Sequence, residues 1–325
     1  MRLLVTGGTG FVGRRLVRRL LRGGETVHTL ARSSRSIAGA THHAADLGDA
    51  DRVSAILREV EPHVVVHLAA RTRPAAGAAP AREMHAALED ARNATLIADL
   101  ASRCDRPPSL LLRAGSVAEY GSANGRRALN ERDAERPRTP YGVGQLAATR
   151  ALAALALPFP VVNARLGLVY GPGQDEGFLV PRLVAACLAG RPTHVRSPES
   201  RRDLVHVDDV VRALVAIVDR APRDLPVVNV TCGRSPTMRE VAGLVIDATG
   251  CDPDLVTFGK PAPDAHLCDP GLARRRLGWR ATTTIERGIA DMVDAVRGHR
   301  PNGARAASAA VGTSASRPTL AGAGS

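Results

Sequence analysis

The sequence predicts an α/β protein with a doubly wound parallel sheet and a smaller C-terminal lobe. Short apolar runs alternate with helical patterns from the first residue, and runs such as 64–66 and 110–112 contain no polar position. Strands that are apolar on both faces are typical of parallel sheets covered by helices on each side. A glycine-rich loop also follows the first run directly, at residues 7–13.

The elements can be assigned in chain order. Strands are predicted at 3–5, 26–30, 64–66, 110–112 and 161–164. Helices are predicted from residue 11, near 53–59, over 81–103 and over 141–155. Beyond residue 171 we expect a helix at 178–189, a strand and helix at 204–218, a strand at 227–230, and helices near 238–249 and 285–296.

The glycine-rich loop reads G-G-T-G-F-V-G between the first strand and the first helix. In this context Gly7 allows a tight turn, Gly10 lets the backbone approach a pyrophosphate, and Gly13 permits close packing of helix on strand. The N–H groups and dipole of the helix N-terminus favour an anion. An ordinary glycine turn is the alternative, but the context favours a Rossmann-like site for NAD or NADP.

The segment after the second strand bears on the choice of cofactor. Residues 30–35 read L-A-R-S-S-R and contain no carboxylate. An acidic residue there binds the ribose 2′-hydroxyl of NAD, whereas an arginine accommodates the 2′-phosphate of NADP. Arg32 and Ser33 are therefore candidate ligands, and NADP is favoured over NAD. The alternative is that Arg32 and Arg35 are solvated charges in an arginine-rich chain.

Composition excludes several other classes. The chain has 325 residues, 44% of them hydrophobic, which is enough for a large core. A net charge of +12 invites nucleic-acid binding, but the basic residues are scattered and aromatic residues make up only 2%, so we expect no nucleic-acid partner. No apolar run is long enough to span a bilayer and no signal peptide begins the chain, so we expect no membrane association and a cytoplasmic location. Five cysteines without a C-x-x-C pair predict no metal site.

These patterns suggest a division of the chain. We assign residues 1–165 to an NAD(P)-binding Rossmann domain, to which 203–230 returns. Residues 166–202 and 231–300 form the predicted substrate lobe. Residues 301–325 are mostly small and polar, a composition that cannot offset the entropy of ordering, and are predicted to be a disordered tail.

Several segments, in order, resemble landmarks of the extended short-chain dehydrogenase/reductases, in their nucleotide-sugar epimerase, dehydratase and ketoreductase branch, over about residues 1–298. The segments are 6–13, 45–47, 67–70, 116–121, 140–142, 165–173, 202–209 and 277–279. Together with the loop and the segment after the second strand, they predict a set of cofactor-binding residues. These are Gly7, Gly10, Phe11, Val12, Gly13, Arg32, Ser33, Asp46, Leu47, Leu68, Ala69, Ala70, Tyr141 and Gln145.

The resemblance implies hydride transfer with Tyr141 as acid or base and Ser116 as its partner. The family places a lysine four residues after the tyrosine, and this chain has Gln145 there. A nearby cation favours the phenolate, so without it Tyr141 should stay protonated, as reduction of a ketone requires. Gln145 can still hydrogen-bond ribose hydroxyls. The alternatives are that Tyr141 only begins a helix and that Ser116 is only a strand-end hydroxyl.

The resemblance also implies two basic residues at the substrate. Arg202 lies where the family binds the nucleotide diphosphate, and a guanidinium suits phosphate geometry. Lys260 precedes a Pro-x-x-Asp turn that carries a second basic residue in the family. Leu168 replaces an asparagine that often contacts the diphosphate, and Arg202 could instead be a solvated charge beside Arg201.

We therefore predict an NAD(P)-dependent reductase of a nucleotide-linked keto sugar, with Tyr141 as the proton donor. A nucleotide sugar or another small carbonyl compound is the expected substrate. One alternative is an epimerase or dehydratase of the same family, and another is a non-catalytic NAD(P)-binding sensor. A homodimer through the long helices is implied by the resemblance alone.

Overall fold

The computed structural model describes residues 1–72, 79–122, 127–220, 223–261 and 264–298. The predicted disordered tail, 301–325, lies outside the described residues. Of the helices that these residues form, none combines the length and apolar character that a membrane crossing requires.

Strands and helices alternate through most of the chain. The strands are β1 (Arg2–Thr6), β2 (Thr26–Ala31), β3 (Thr41–Ala44), β4 (Val64–His67), β5 (Leu110–Ser116), β6 (Val161–Leu166), β7 (Leu168–Tyr170), β8 (Thr193–Val195), β9 (Arg201–Arg202), β10 (Leu204–His206), β11 (Val227–Val230), β12 (Val256–Phe258) and β13 (Ala265–His266). The α-helices are α1 (Phe11–Arg22), α2 (Ala50–Val60), α3 (Pro80–Ser102), α4 (Pro140–Ala154), α5 (Leu179–Leu188), α6 (Val207–Arg220), α7 (Met238–Thr249), α8 (Gly271–Leu277) and α9 (Ile285–Gly298).

Seven of these strands form one parallel sheet in the order β11-β6-β5-β4-β1-β2-β3. The direction in which successive strands are added reverses between β1 and β4. In open α/β sheets, ligands bind outside the carboxyl ends of the strands at such a reversal. The predicted fold class is confirmed, and the topology places the glycine-rich loop at this position.

The alternation of side chains along each strand builds a core on each face of the sheet. Leu3 and Val5 of β1 pack in one cluster with apolar residues of α1 and α6. Leu4 points the other way and packs with residues of α2, α3 and α4. Successive strand residues face opposite sides of a sheet, so an entirely apolar strand serves both cores.

The C-terminal part contributes a third cluster, formed mainly by α5, α7 and α9. Three two-stranded parallel sheets, β7 with β10, β8 with β12 and β9 with β13, lie outside the main sheet. The segment 203–230, predicted to return to the first domain, contributes β11 to the main sheet and α6 to one of its faces.

One segment differs from the predicted division, which assigns residues 231–300 to the substrate lobe. Leu277 of α8 and the following Trp279 pack in the cluster of α1 and α6 on the main sheet. The indole Nε1 of Trp279 donates a hydrogen bond to the backbone oxygen of Asp209 at 3.0 Å. This part of the chain therefore covers the Rossmann sheet.

The edge strand β3 was not predicted, because its sequence, T-H-H-A, is polar. Its histidines pair with the neighbouring β2 through side chains as well as backbone. His42 Nδ1 lies 2.8 Å from the hydroxyl of Thr29, and His43 Nε2 lies 3.0 Å from Nδ1 of His28. These side-chain contacts help to hold β3 against β2, although β3 lacks the apolar pattern by which a strand is predicted.

Candidate active site

The glycine-rich loop has the geometry of a phosphate cradle. Gly7 has a φ of +67°, and a Cβ there would lie 2.8 Å from the backbone nitrogen of Ala69. A Cβ on Gly13 would lie 2.2 Å from the carbonyl oxygen of Gly7. Helix α1 begins after Gly10 without a side-chain cap, so its first-turn N–H groups are available to an anion. The loop therefore fits the pyrophosphate of a dinucleotide.

A cavity of about 370 Å³ adjoins the cradle at the ends of β2 and β3. Its wall includes the predicted residues Arg32, Ser33, Asp46, Leu47, Leu68 and Ala69. The Asp46 carboxylate accepts a hydrogen bond from the backbone of Gly48 at 2.8 Å, which fixes the turn after β3. The sequence-predicted adenosine end of the cofactor site is thus brought together in one place.

Arg71 lies on the same cavity wall and was missed by the sequence reasoning. Its guanidinium Nε donates to Asp90 at 3.1 Å, and Nη2 donates to Glu89 at 2.8 Å. Both carboxylates belong to α3, well separated from Arg71 along the chain. No local pattern could have signalled this pairing.

A second cavity, of about 490 Å³, extends from the cradle to the C-terminal lobe. Its wall includes the predicted residues Phe11, Val12, Ala70, Ser116, Tyr141 and Arg202. The two predicted catalytic hydroxyls, the cofactor cradle and the predicted phosphate-binding arginine therefore share one cavity. This arrangement is what hydride transfer to an anchored substrate needs.

Ser116 is the last residue of β5, and Tyr141 is the second residue of α4. The Ser116 hydroxyl caps the short 3-10 turn Val117–Glu119 by accepting from the backbone of Ala118 at 3.1 Å. Burial raises the pKa of Tyr141, and this outweighs the opposing effect of the Ser116 hydroxyl that approaches the phenol. Tyr141 is therefore a neutral phenol at physiological pH, able to donate a proton.

Gln145 lies one turn after Tyr141 on α4 and is only 4% exposed. It lines neither of the two cavities, although sequence reasoning placed it against the cofactor. Its side-chain oxygen accepts a hydrogen bond of 2.6 Å from Nη2 of Arg113. Since a guanidinium can only donate, the oxygen of the amide must face Arg113 and the NH₂ group must face away. The predicted contact of Gln145 with ribose stays a prediction.

Arg113 belongs to a buried polar network behind the two hydroxyls. Its Nη1 donates to Asn163 Oδ1 at 2.6 Å and to the hydroxyl of Thr149 at 3.2 Å. Glu119, fully buried, accepts from Arg165 Nε at 2.8 Å and from the Thr149 hydroxyl at 3.0 Å. A buried charge is tolerated only when it is hydrogen-bonded in this way. The signal in the sequence is a single charged residue inside a buried strand, at Arg113 of β5 and Arg165 of β6.

Arg202 is half-buried on the wall of the larger cavity, and Asp264 orients it. Its Nη2 donates to Asp264 Oδ2 at 2.8 Å, and its Nη1 donates to the Asp264 backbone oxygen at 3.2 Å. Burial favours a higher pKa for Asp264, but the Ser122 hydroxyl and Arg202 together lower it, so the carboxylate stays ionised. Lys260 is exposed and lies outside the cavity wall, so its predicted substrate contact stays a prediction.

Across the parts of the chain that the structure describes, no group of three or more His, Cys, Asp or Glu side chains could hold a metal ion.

Known proteins resemble the chain over most of its length. It is 32% identical, over 310 residues, to dTDP-6-deoxy-L-talose 4-dehydrogenase (NAD(P)(+)) of Kitasatospora kifunensis, covering 90% of this chain and 94% of that protein. It is 26% identical to dTDP-L-rhamnose 4-epimerase of Burkholderia thailandensis, with 90% and 93% covered. The solved structure of the UDP-glucose 4-epimerase of Thermus thermophilus in complex with NAD superposes with a TM-score of 0.79 at 26% identity, covering 92% of this chain and 100% of the other.

Residues 3–231 match the family described as the NAD dependent epimerase/dehydratase family. This match spans the glycine cradle, Ser116, Tyr141 and Arg202, so it includes every part of the site that the sequence resemblance predicted, apart from Lys260. The chain therefore belongs to the NAD dependent epimerase/dehydratase family of extended short-chain dehydrogenase/reductases, which are NAD(P)-dependent enzymes of the oxidoreductase type.

Proposed function

We propose that this protein is an NADP-dependent reductase of a nucleotide-linked keto sugar, with Tyr141 as the proton donor. The observation that carries the proposal is that Tyr141 lies on the wall of the cavity that also contains Ser116 and Arg202. Burial raises the pKa of this phenol, so it holds the proton that a carbonyl oxygen takes up on reduction. The same burial makes Tyr141 a poor base for oxidising an alcohol.

The roles of the other residues follow from their positions. NADPH, which the glycine loop and Arg32 would hold, would supply a hydride to the carbonyl carbon of the sugar. Ser116 donates a hydrogen bond to the carbonyl oxygen, and Tyr141 gives that oxygen its phenolic proton as the negative charge develops. Arg202, held in position by Asp264, binds the diphosphate and anchors the sugar in the cavity.

The preference for NADP rests on Arg32. Its exposed side chain lies on the wall of the smaller cavity and forms no ion pair with any other residue in the described ranges. The backbone oxygen of the adjacent Ser33 accepts a hydrogen bond of 2.7 Å from His42, which steadies this turn. An unpaired guanidinium beside a steadied turn is suited to a 2′-phosphate.

The relatives support both the leading proposal and its alternative. The Kitasatospora protein is a 4-dehydrogenase that uses NAD(P)(+), and reduction of a keto sugar is that type of reaction in reverse. Epimerases are also among the relatives, and an epimerase of a nucleotide sugar is the second candidate. An epimerase must oxidise as well as reduce, so it needs a tyrosine that also acts as a base. The raised pKa of Tyr141 disfavours that role.

The test is to supply NADPH with a panel of nucleotide 4-keto-6-deoxysugars and, separately, with nucleotide hexoses that lack a keto group. A reductase oxidises NADPH with at least one keto sugar and leaves the hexoses unchanged. Interconversion of a hexose and its 4-epimer without net oxidation of NADPH would instead establish the epimerase. Binding of NADPH without turnover of any substrate would favour a sensor.

The proposal includes a homodimer that forms through α3 and α4. These helices pack together on one face of the sheet, and Leu88 of α3 is 46% exposed. The dimer is inferred from the family resemblance, and the exposed Leu88 provides a position at which to test it. Sedimentation of the wild type and of Leu88→Glu tests this, since the variant should sediment as a monomer.

A further inference from the structure

Tyr141 lacks the cation that its family provides from the same helix. Gln145 occupies the lysine position, and the one lysine in the sequence, Lys260, is exposed and outside the cavity wall. The charged groups that face Tyr141 come from three neighbouring elements. They are Arg113 of β5, Glu119 of the turn after β5, and Asp90 of α3.

Arg113 is the cation in this set, and its ion pair with Glu119 is long, at 3.9 Å. Its side chain is 3% exposed, and its guanidinium donates to three neutral acceptors, on Gln145, Asn163 and Thr149. The nearest carboxylate oxygen, on Glu119, is 3.9 Å away, beyond hydrogen-bonding distance. The positive charge is thus fixed in place by dipoles and left without a bonded anion.

The two anions that face Tyr141 are paired with other arginines. Glu119 accepts from Arg165 Nε at 2.8 Å, and Asp90 accepts from Arg71 Nε at 3.1 Å. Each carboxylate therefore has a guanidinium directly bonded to it. Among the described residues, the ion pair of Arg113 with Glu119 is longer than either of these contacts and lies beyond hydrogen-bonding distance.

We infer that Arg113 is a positioning residue that takes over the electrostatic role of the family's lysine. It acts on Tyr141 from β5, and Gln145 accepts its hydrogen bond. The inference rests on the proposed reduction. When the O–H bond of Tyr141 breaks and a new O–H bond forms on the sugar, Tyr141 is left as a phenolate. Arg113 keeps its proton throughout and stabilises that phenolate.

The pKa contributions agree with this geometry. Arg113 lowers the pKa of Tyr141, while burial, which dominates, and Glu119 and Asp90 raise it. The position of Arg113 also accounts for the glutamine at position 145. A lysine there would place an ammonium against a buried guanidinium, whereas the glutamine oxygen accepts its hydrogen bond.

The test follows the titration of Tyr141 directly. The chain contains three tyrosines, so protein labelled with 3-fluorotyrosine, a more acidic phenol, gives three ¹⁹F resonances, and Tyr141→Phe assigns the one of interest. Burial raises the pKa of all three tyrosines, so the resonance assigned through Tyr141→Phe is the one whose titration is followed. Arg113→Gln should raise the pKa of Tyr141 by about one unit or more. Thr149→Val, which removes a partner of Arg113 but no charge, should leave it unchanged.

The double variant Arg113→Gln, Gln145→Lys moves the cation back to α4. It should restore a pKa of Tyr141 close to that of the wild type, and a kcat that Arg113→Gln lowers about tenfold. An unshifted pKa in folded Arg113→Gln overturns the inference. Should Arg113→Gln not fold, the double variant decides alone. If Arg113 has no effect on Tyr141, the double variant only adds a cation, and the pKa of Tyr141 should fall well below the wild-type value.

These outcomes are separable from the fate of the proposed function. A wild type that turns over no keto sugar, together with the expected ¹⁹F shifts, overturns the reductase and leaves the placement of the charge standing. Keto-sugar reduction together with unshifted ¹⁹F titrations supports the reductase and overturns the inferred role of Arg113.

Discussion

The guanidinium of Arg113 and the side-chain oxygen of Gln145 lie 2.6 Å apart, in the core behind the cavity wall that Tyr141 forms. In the role that we infer for Arg113, this contact connects Gln145 to the cation that acts on Tyr141. It also turns the amide NH₂ group of Gln145 away from Arg113.

Removing the phenolic hydroxyl tests the assigned proton donor. Tyr141→Phe should lower kcat by about 10² to 10⁴, the usual contribution of a positioned general acid, while NADPH binding is kept. Tyr170→Phe is the matched control, because its hydroxyl contacts the backbone of Thr284 in the C-terminal lobe. Equal activity of the two variants would remove Tyr141 from the chemistry.

The pH dependence of reduction follows from the same residue. Tyr141 must be protonated to react, and burial raises its pKa above the ordinary value near 10. The step that depends on Tyr141 is therefore fully active at neutral pH and should be lost only as pH rises through that raised pKa. Single-turnover rates of NADPH oxidation measured from pH 7 upward check this. A loss of rate between pH 7 and 9 would point to a different proton donor.

Arg32 should determine the preference for NADP. Arg32→Ala should weaken NADPH binding about tenfold or more, which corresponds to about 1.4 kcal/mol, and should leave NADH binding unchanged. Arg35→Ala is the control, because Arg35 lies near Arg32 in sequence but outside the cavity wall. Titration of both cofactors by fluorescence gives the comparison. A loss that is equal for NADPH and NADH would contradict 2′-phosphate recognition by Arg32.

Arg202 should act on substrate affinity. Arg202→Lys keeps the charge but loses the planar pair of donors, so KM for the nucleotide sugar should rise about tenfold while NADPH binding stays constant. Lys260→Met should raise KM less, because Lys260 is exposed and outside the cavity wall. Steady-state kinetics of both variants check this, and a larger effect at Lys260 would reverse the two assignments.

Asp203 should make stability depend on pH. Burial raises the pKa of its carboxyl to about 6, although the backbone N–H groups of Cys232 and Gly233 donate to it at 2.7 and 3.0 Å. The folded state then binds this proton more tightly than the unfolded state, whose pKa is about 3.9, so the free energy of unfolding falls as pH rises from about 4 to 6. Relative to Asp203→Asn, the wild type should lose about 3 kcal/mol over this interval, measured by urea denaturation. A difference that stays constant with pH would exclude this linkage.

The parts of the fold predicted from sequence are those that depend on local patterns. The alternating apolar strands and the glycine loop indicated the parallel sheet and the position of the cradle, because both signals are contained in a few consecutive residues. The polar edge strand β3 was not predicted, because it pairs with β2 through histidine contacts and has no apolar pattern. The contact of Trp279 with the main sheet was not predicted either, because its partner, the backbone of Asp209, is distant in sequence.

The candidate site shows the same limit. Ser116, Tyr141 and Arg202 were predicted from motifs and share one cavity in the structure. The significance of Arg113 was not predicted, because a buried arginine acquires its role from Gln145 and Asn163, which lie on other elements. Sequence reasoning noted the glutamine at position 145 but could not identify the guanidinium that it contacts.

Transfer of label from free cofactor tests the central claim most directly. NADPH that carries deuterium at the transferable position of the nicotinamide should be incubated with the protein and a nucleotide 4-keto-6-deoxysugar. The mass of the sugar product is then measured by mass spectrometry. A reductase transfers a single deuterium to the sugar as the labelled NADPH is consumed. Label that stays in the free cofactor while a nucleotide sugar is epimerised would contradict the account.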